Sequence, residues 1–71
     1  MIPLDQALLD AHAAQNSPAL VRLYQQAGNS ALEMDEIRGC FYLTHAYIFA
    51  LEIGHADTAD LYARLKHHHR V

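Results

Sequence analysis

The chain has 71 residues, 52% of them hydrophobic and 18% charged, with a formal net charge of −3 when its six histidines are counted as neutral. This length supplies one core, so the sequence predicts a single domain over residues 1–71. The acidic balance argues against general binding to nucleic acid phosphates. The single cysteine, Cys40, excludes an intramolecular disulfide and favours a cytoplasmic location.

The sequence predicts no membrane segment. The uncharged stretch 39–51 has 13 residues and includes Thr44 and His45, whereas a membrane-spanning helix needs about 20 apolar residues. The N-terminal region lacks the basic residues of a signal or transit peptide and carries Asp5 and Asp10 instead.

Start and stop signals predict the first two helices. Pro3 suits the first position of a helix, which we expect to run to about Gln15 with a shallow, alanine-rich buried face. Asn16 is expected to end this helix, Ser17 to cap the second, and Pro18 to occupy the first position of the second.

The third predicted helix is long and central. Gly28 is expected to end the second helix, Ser30 and Glu33 match a capping box that begins the third, and Gly54 is expected to end it. Two apolar stripes on different sides of this helix indicate that it is the central helix of the fold, and the short helices beside it are not expected to cover both stripes. One stripe comprises Ile37, Phe41, Thr44, Ile48 and Leu51, and the other comprises Leu43, Ala46, Ala50 and Ile53.

Asp57 is expected to cap a fourth helix with apolar positions at Leu61, Tyr62 and Leu65. Its last turn gathers the basic residues that a helix C-terminus favours, namely Arg64, Lys66 and Arg70. The sequence has no sustained alternation of apolar and polar residues, so no strand is predicted. We therefore predict an all-α fold of about four helices, forming two antiparallel helical hairpins around the long central helix.

The spacing of Leu20, Tyr24 and Gly28 resembles the first helix and turn of a tetratricopeptide repeat. Gly54 and Ala59 resemble the turn glycine and the small second-helix residue of a further unit. The two glycines are 26 residues apart, compared with about 34 in the family. The resemblance covers residues 20–65 and implies a stack of helical hairpins that contacts proteins and has no catalytic residues.

The histidines and Cys40 are the candidate reactive groups. Consecutive helical residues point about 100° apart, so His67, His68 and His69 are not expected to converge on one metal ion. A metal site also needs ligands from a second element of the chain. Cys40 and His45 lie on different faces of the predicted helix, which indicates a core cysteine. We predict no catalytic or metal-binding residue and no cofactor.

These observations together predict an interaction module that forms a homodimer or docks on a protein partner, with no small-molecule substrate or membrane partner. If the stripe that begins at Ile37 faces the rest of the chain, then Tyr42, Phe49 and Ile53 become the candidates for contact with another chain. Two alternatives stay open: nucleic acid binding by the basic segment 64–70, and metal binding by the histidine-rich C-terminus.

Overall fold

In the computed structural model, which describes residues 4–71, the chain forms four α-helices: α1 (Leu4–Ala13), α2 (Ser17–Leu32), α3 (Glu36–Ile53) and α4 (Thr58–His67). No strand is present over these residues, so the predicted all-α class is confirmed. Pro3, expected at the start of the first helix, lies outside the described residues. None of the described helices is both long and apolar enough to cross a membrane.

Helices that are neighbours in the sequence pack on each other, and α2 packs on α3 most extensively. Leu32 at the end of α2 lies against Gly39 near the start of α3. Tyr24 in the middle of α2 stacks on Phe49 near the end of α3, so the two helices are antiparallel. His68, just after α4, hydrogen-bonds Glu36 at the start of α3, so α4 returns along α3. The predicted hairpin arrangement around α3 is therefore present.

Asn16, rather than Ser17, caps α2. Its side-chain oxygen accepts a hydrogen bond from the backbone N–H of Ala19 at 3.2 Å, which satisfies one of the free amides of the first turn. The end of α1 is closed by Gln15, whose φ of 54° is left-handed, and by the Asn16 N–H, which donates to the Ala11 carbonyl at 2.9 Å. One short segment thus ends a helix and starts the next.

The prediction that α3 begins with a Ser30–Glu33 capping box is wrong, because α2 continues to Leu32. Asp35 caps α3 instead, and its carboxylate oxygen accepts from the backbone N–H groups of Ile37 and Arg38 at 3.0 and 3.2 Å. A carboxylate at this position also complements the positive end of the helix dipole.

The prediction that α2 ends at Gly28 is also wrong, since Gly28 is buried inside the helix against Leu43 of α3. A Cβ atom at Gly28 would lie 2.8 Å from Leu43 Cδ2. At Gly39 of α3, a Cβ atom would lie 2.5 Å from Leu32 Cγ and 2.8 Å from the Leu32 backbone nitrogen. These two glycines allow α2 and α3 to approach closely.

The other predicted boundary residues have their expected positions. Gly54 ends α3 in the left-handed conformation with φ of 61°, and the His55 N–H donates to the Ala50 carbonyl at 2.9 Å. Asp57 occupies the N-cap position of α4, but its carboxylate accepts from the Gln25 side chain at 3.0 Å, which ties this turn to α2.

The core consists of two clusters of buried residues. The first joins α2, α3 and α4 and contains Val21, Leu43, Ala46, Ala50, Leu61 and Leu65. The second joins α1 to α2 and contains Ala11, Ala19 and Leu20. Tyr24 and Phe49 pack against both clusters and so connect them.

Gly39→Ala tests the close approach of α2 and α3. Alanine raises intrinsic helix propensity by about 1 kcal/mol, but the added methyl group meets Leu32, and overpacking costs about 1–3 kcal/mol. We expect the steric cost to win and the melting temperature to fall by about 4–8 °C, measured by circular dichroism at fixed protein concentration. Ser30→Ala, at an exposed position of α2, is the control and should not lower it. A melting temperature of Gly39→Ala at or above the wild-type value would contradict the packing described.

Candidate interaction surface

The stripe of α3 that begins at Ile37 faces solvent, so the expectation that it packs inside the chain is wrong. Ile37 is 73% exposed and Phe41 is 57% exposed, and Ile48 and Leu51 are also exposed. The face of α3 that packs inside is lined instead by Gly39, Leu43, Ala46 and Ala50. These residues are mostly small, and only such residues fit where α2 approaches so closely.

The exposed stripe has the spacing of a coiled-coil seam. Its members, which we call the α3 stripe, are Ile37, Phe41, Thr44, Ile48 and Leu51, separated by four, three, four and three residues. None of them is charged, and the Thr44 hydroxyl donates to the Cys40 carbonyl at 2.8 Å, so its polar group is satisfied within the helix. A contiguous apolar surface of this kind is typical of protein contact sites.

A polar edge runs beside the α3 stripe. Arg38, His45 and Glu52 are spaced by seven residues and therefore share one side of α3. His45 is half-buried and its Nδ1 donates to the Phe41 carbonyl at 2.9 Å, while Arg38 and Glu52 are exposed. This edge thus presents a positive charge near one end of α3 and a negative charge near the other.

The three residues predicted to contact another chain have different environments. Phe49 is half-buried, stacks on Tyr24 with ring centroids 5.9 Å apart, and lies 5.8 Å from the His12 ring. Tyr42 is half-buried, and Ile53 is exposed at the end of α3. Phe49 is therefore used within the chain, and the contact of all three with another chain stays a prediction.

Tyr24 is the centre of an aromatic cluster that sequence analysis did not identify. Its hydroxyl is hydrogen-bonded to His12 Nε2 at 2.9 Å, and its ring stacks on His45 with centroids 5.1 Å apart. Burial raises the pKa of the Tyr24 hydroxyl above its ordinary value, and the neighbouring Tyr42 raises this pKa further. The cluster draws on three helices, so no local sequence pattern indicates it.

The basic C-terminal segment is partly engaged by the chain itself. The Arg64 guanidinium donates to the side-chain oxygen of Asn29, and Arg70 Nη2 lies 4.0 Å from Glu36 Oε1. Lys66 is exposed. Two of the three cations proposed for nucleic acid contact therefore lie beside polar groups of α2 and α3.

The three C-terminal histidines have different environments, and the rings of His67 and His68 are in edge contact with centroids 5.3 Å apart. His67 and His69 are exposed, whereas His68 is half-buried and donates from Nδ1 to Glu36 Oε1 at 3.3 Å. Cys40 is buried, in agreement with its interpretation as a core cysteine.

No protein-family model, characterised protein or solved structure matches this chain. The arrangement of its surface residues is therefore the basis on which a function is argued.

The raised pKa of Tyr24 predicts a loss of stability at alkaline pH. The folded state holds the hydroxyl proton more tightly than the unfolded state, so stability is fully present below the unfolded tyrosine pKa of about 10 and falls as the pH rises above it. The spectrophotometric titration curve of wild type, after subtraction of the curve of Tyr24→Phe, reports the ionisation of Tyr24. Its midpoint should lie above the ordinary tyrosine pKa of about 10. A difference midpoint at or below 10 would show that Tyr24 is not shielded in this way.

Proposed function

We propose that the chain is a small, non-catalytic interaction module that pairs with a second copy of itself through the α3 stripe. The observation that carries this proposal is a seam of large, uncharged side chains on the exposed side of the central helix. The opposite side of α3 is already filled by α2, so the seam faces outward without a covering element of the described chain.

The size of the α3 stripe supports a reversible dimer. Full burial of a Leu, Ile or Phe side chain favours association by about 1.5–3 kcal/mol, and the four large members of the stripe are between 47% and 73% exposed. A gain of about 1 kcal/mol from each, over two chains, is of the same order as the cost of association, which is about 4–15 kcal/mol. We expect association that depends on protein concentration.

The charges of the polar edge favour an antiparallel pair. In a parallel pair with this spacing, the polar edge of one copy would face the opposite flank of the seam on the second copy, where Cys40 and Tyr47 lie, so neither Arg38 nor Glu52 would meet an opposite charge. In an antiparallel pair, each Arg38 lies toward a Glu52 of opposite charge. An antiparallel pair about a two-fold axis also presents the same surface from each copy, which closes the assembly at two chains.

The tetratricopeptide resemblance stays a prediction, and it belongs to the same functional class because such repeats bind proteins. Gly28 lies within α2, so the position assigned to a turn by that resemblance is a helix–helix contact here. The antiparallel pairing of α2 with α3 is the hairpin-like feature of the present chain.

Phe41→Glu tests the α3 stripe as the dimer surface. A carboxylate at this exposed position would be buried in the dimer, and loss of a central aromatic contact costs about 2 kcal/mol or more. We expect association at least about 30-fold weaker by sedimentation equilibrium. Helical content should be unchanged, because Phe41 lies outside the core.

Leu9→Glu is the matched control, since Leu9 is a large exposed side chain on α1, away from the stripe. It should leave association unchanged. A wild-type chain that stays monomeric at millimolar concentration, or an equal effect of Leu9→Glu and Phe41→Glu, would rule out the proposed dimer surface.

Reversal of the edge charges tests the antiparallel orientation. Arg38→Glu should weaken the dimer by at least about fourfold at low salt, because two symmetry-related attractions become repulsions and each exposed pair contributes about 0.2–1 kcal/mol. Adding Glu52→Arg to Arg38→Glu should restore association. Failure of the double variant to recover, with the single variant impaired, would exclude the antiparallel pairing while leaving the stripe itself in place.

A further inference from the structure

The C-terminal end of α4 is held in a defined turn. Leu61 and Leu65 anchor α4 in the first core cluster. After the helix, the His69 N–H donates to the Lys66 carbonyl at 3.0 Å and the Arg70 N–H donates to the Leu65 carbonyl at 2.9 Å. His69 adopts a left-handed φ of 60°. This turn directs the half-buried His68 toward the first turns of α3.

Three different metal-ligand groups meet at this point. A carboxylate oxygen of Glu36, Cys40 Sγ and an imidazole nitrogen of His68 all lie within 4.8 Å of one another. Glu36 and Cys40 are four residues apart on α3 and so share one face of a helix. The second contributing element, which the histidine run alone does not provide, is therefore α3.

The donor set and its geometry fit zinc. Cysteine sulfur, histidine nitrogen and a carboxylate oxygen are all zinc ligands, and bond lengths of about 2.0–2.3 Å place tetrahedral donor atoms about 3.3–3.8 Å apart. Glu36 and His68 are already at 3.3 Å, and closing the Cys40 separations from at most 4.8 Å to the S–N and S–O separations of such a site requires a shift of about 1.3 Å at most. Cys40 is buried and Glu36 is exposed, so one side of the cluster is dry and the other opens to water.

The Glu36 carboxylate oxygen that accepts the hydrogen bond from His68 also lies 4.0 Å from Arg70 Nη2. The hydrogen bond accounts for the approach of His68 to Glu36. It does not involve the third donor, which is the buried Cys40 thiol.

We propose that Glu36, Cys40 and His68 bind a zinc ion, with water as the fourth ligand. On binding, the Cys40 thiol releases its proton to solvent. The Nδ1 proton that His68 donates to Glu36 moves through solvent to Nε2, which leaves Nδ1 free to bind the ion. The thiolate, Nδ1 of His68 and one carboxylate oxygen of Glu36 then form the three protein bonds. The ion would join the end of α4 to the start of α3. The site is independent of the proposed dimer, because it uses none of the side chains of the α3 stripe.

Cobalt and zinc titrations of the full, untagged chain test the site. Co²⁺ should produce thiolate-to-cobalt charge-transfer absorption together with the visible bands of tetrahedral cobalt, and Zn²⁺ should abolish both. Isothermal titration calorimetry should give one Zn²⁺ per chain. Glu36→Gln and Cys40→Ser should each weaken Zn²⁺ binding by at least about tenfold, because even removal of a group that only supports a ligand costs about 10–100-fold.

His67→Ala is the matched control, since His67 is an exposed neighbour of His68 and is not part of the cluster. It should bind Zn²⁺ as wild type does. Glu36→Gln is at an exposed position and keeps the test valid if Cys40→Ser disturbs folding, which circular dichroism reports. Cobalt spectra without a thiolate band, or equal weakening by His67→Ala and Glu36→Gln, would overturn the proposal.

Phe41→Glu separates this proposal from the dimer. The variant should lose association and keep the cobalt spectrum of the wild type. Loss of thiolate-to-cobalt absorption in a folded, monomeric Phe41→Glu chain would show that the metal site is not contained within one copy, contrary to the proposal.

Discussion

The close contact between α2 and α3 sets the rest of the structure. Gly28 leaves room for Leu43, and Gly39 leaves room for Leu32, so the two longest helices approach more closely than larger side chains would permit. Only small residues, such as Ala46 and Ala50, then fit beside Leu43 on the inner face of α3. Apart from Leu43, which fits against Gly28, the large side chains of α3 lie on its other sides, and four of them form the exposed stripe.

Local signals identified those features of the fold that are fixed locally. Gly54 ends α3 because the left-handed conformation is required there, and within the described residues a Cβ atom at this position would meet no atom within 4 Å. Gly28 has a similar local sequence pattern, but glycine is needed there because α3 packs against this position. A sequence read one segment at a time does not distinguish a helix end from a helix contact, and this explains both errors around the α2–α3 boundary.

The α3 stripe was found by its periodicity, but the side of α3 that faces the core was not. Both stripes of α3 are apolar, and hydrophobic spacing alone does not rank them. Side-chain size does distinguish the two stripes. The stripe with Ala46 and Ala50 allows a neighbouring helix to approach closely, whereas Phe41 and Ile48 need more room. The residues of the aromatic cluster around Tyr24 are far apart in the sequence, and so are Glu36 and His68. The fold brings them together, so no local sequence pattern indicates these contacts.

The composition of α3 explains why a chain of this size exposes so much apolar surface. An 18-residue helix is about 27 Å long, and α2 covers one side of it while α4 and the following turn cover another. A single small core cannot surround a helix that is apolar on nearly every side. The remaining side has an uncharged seam with opposite charges at the two ends of its polar edge. A second α3, reversed in direction, has the same length, spacing and charge order, and this match is the physical basis of the proposed pairing of two copies.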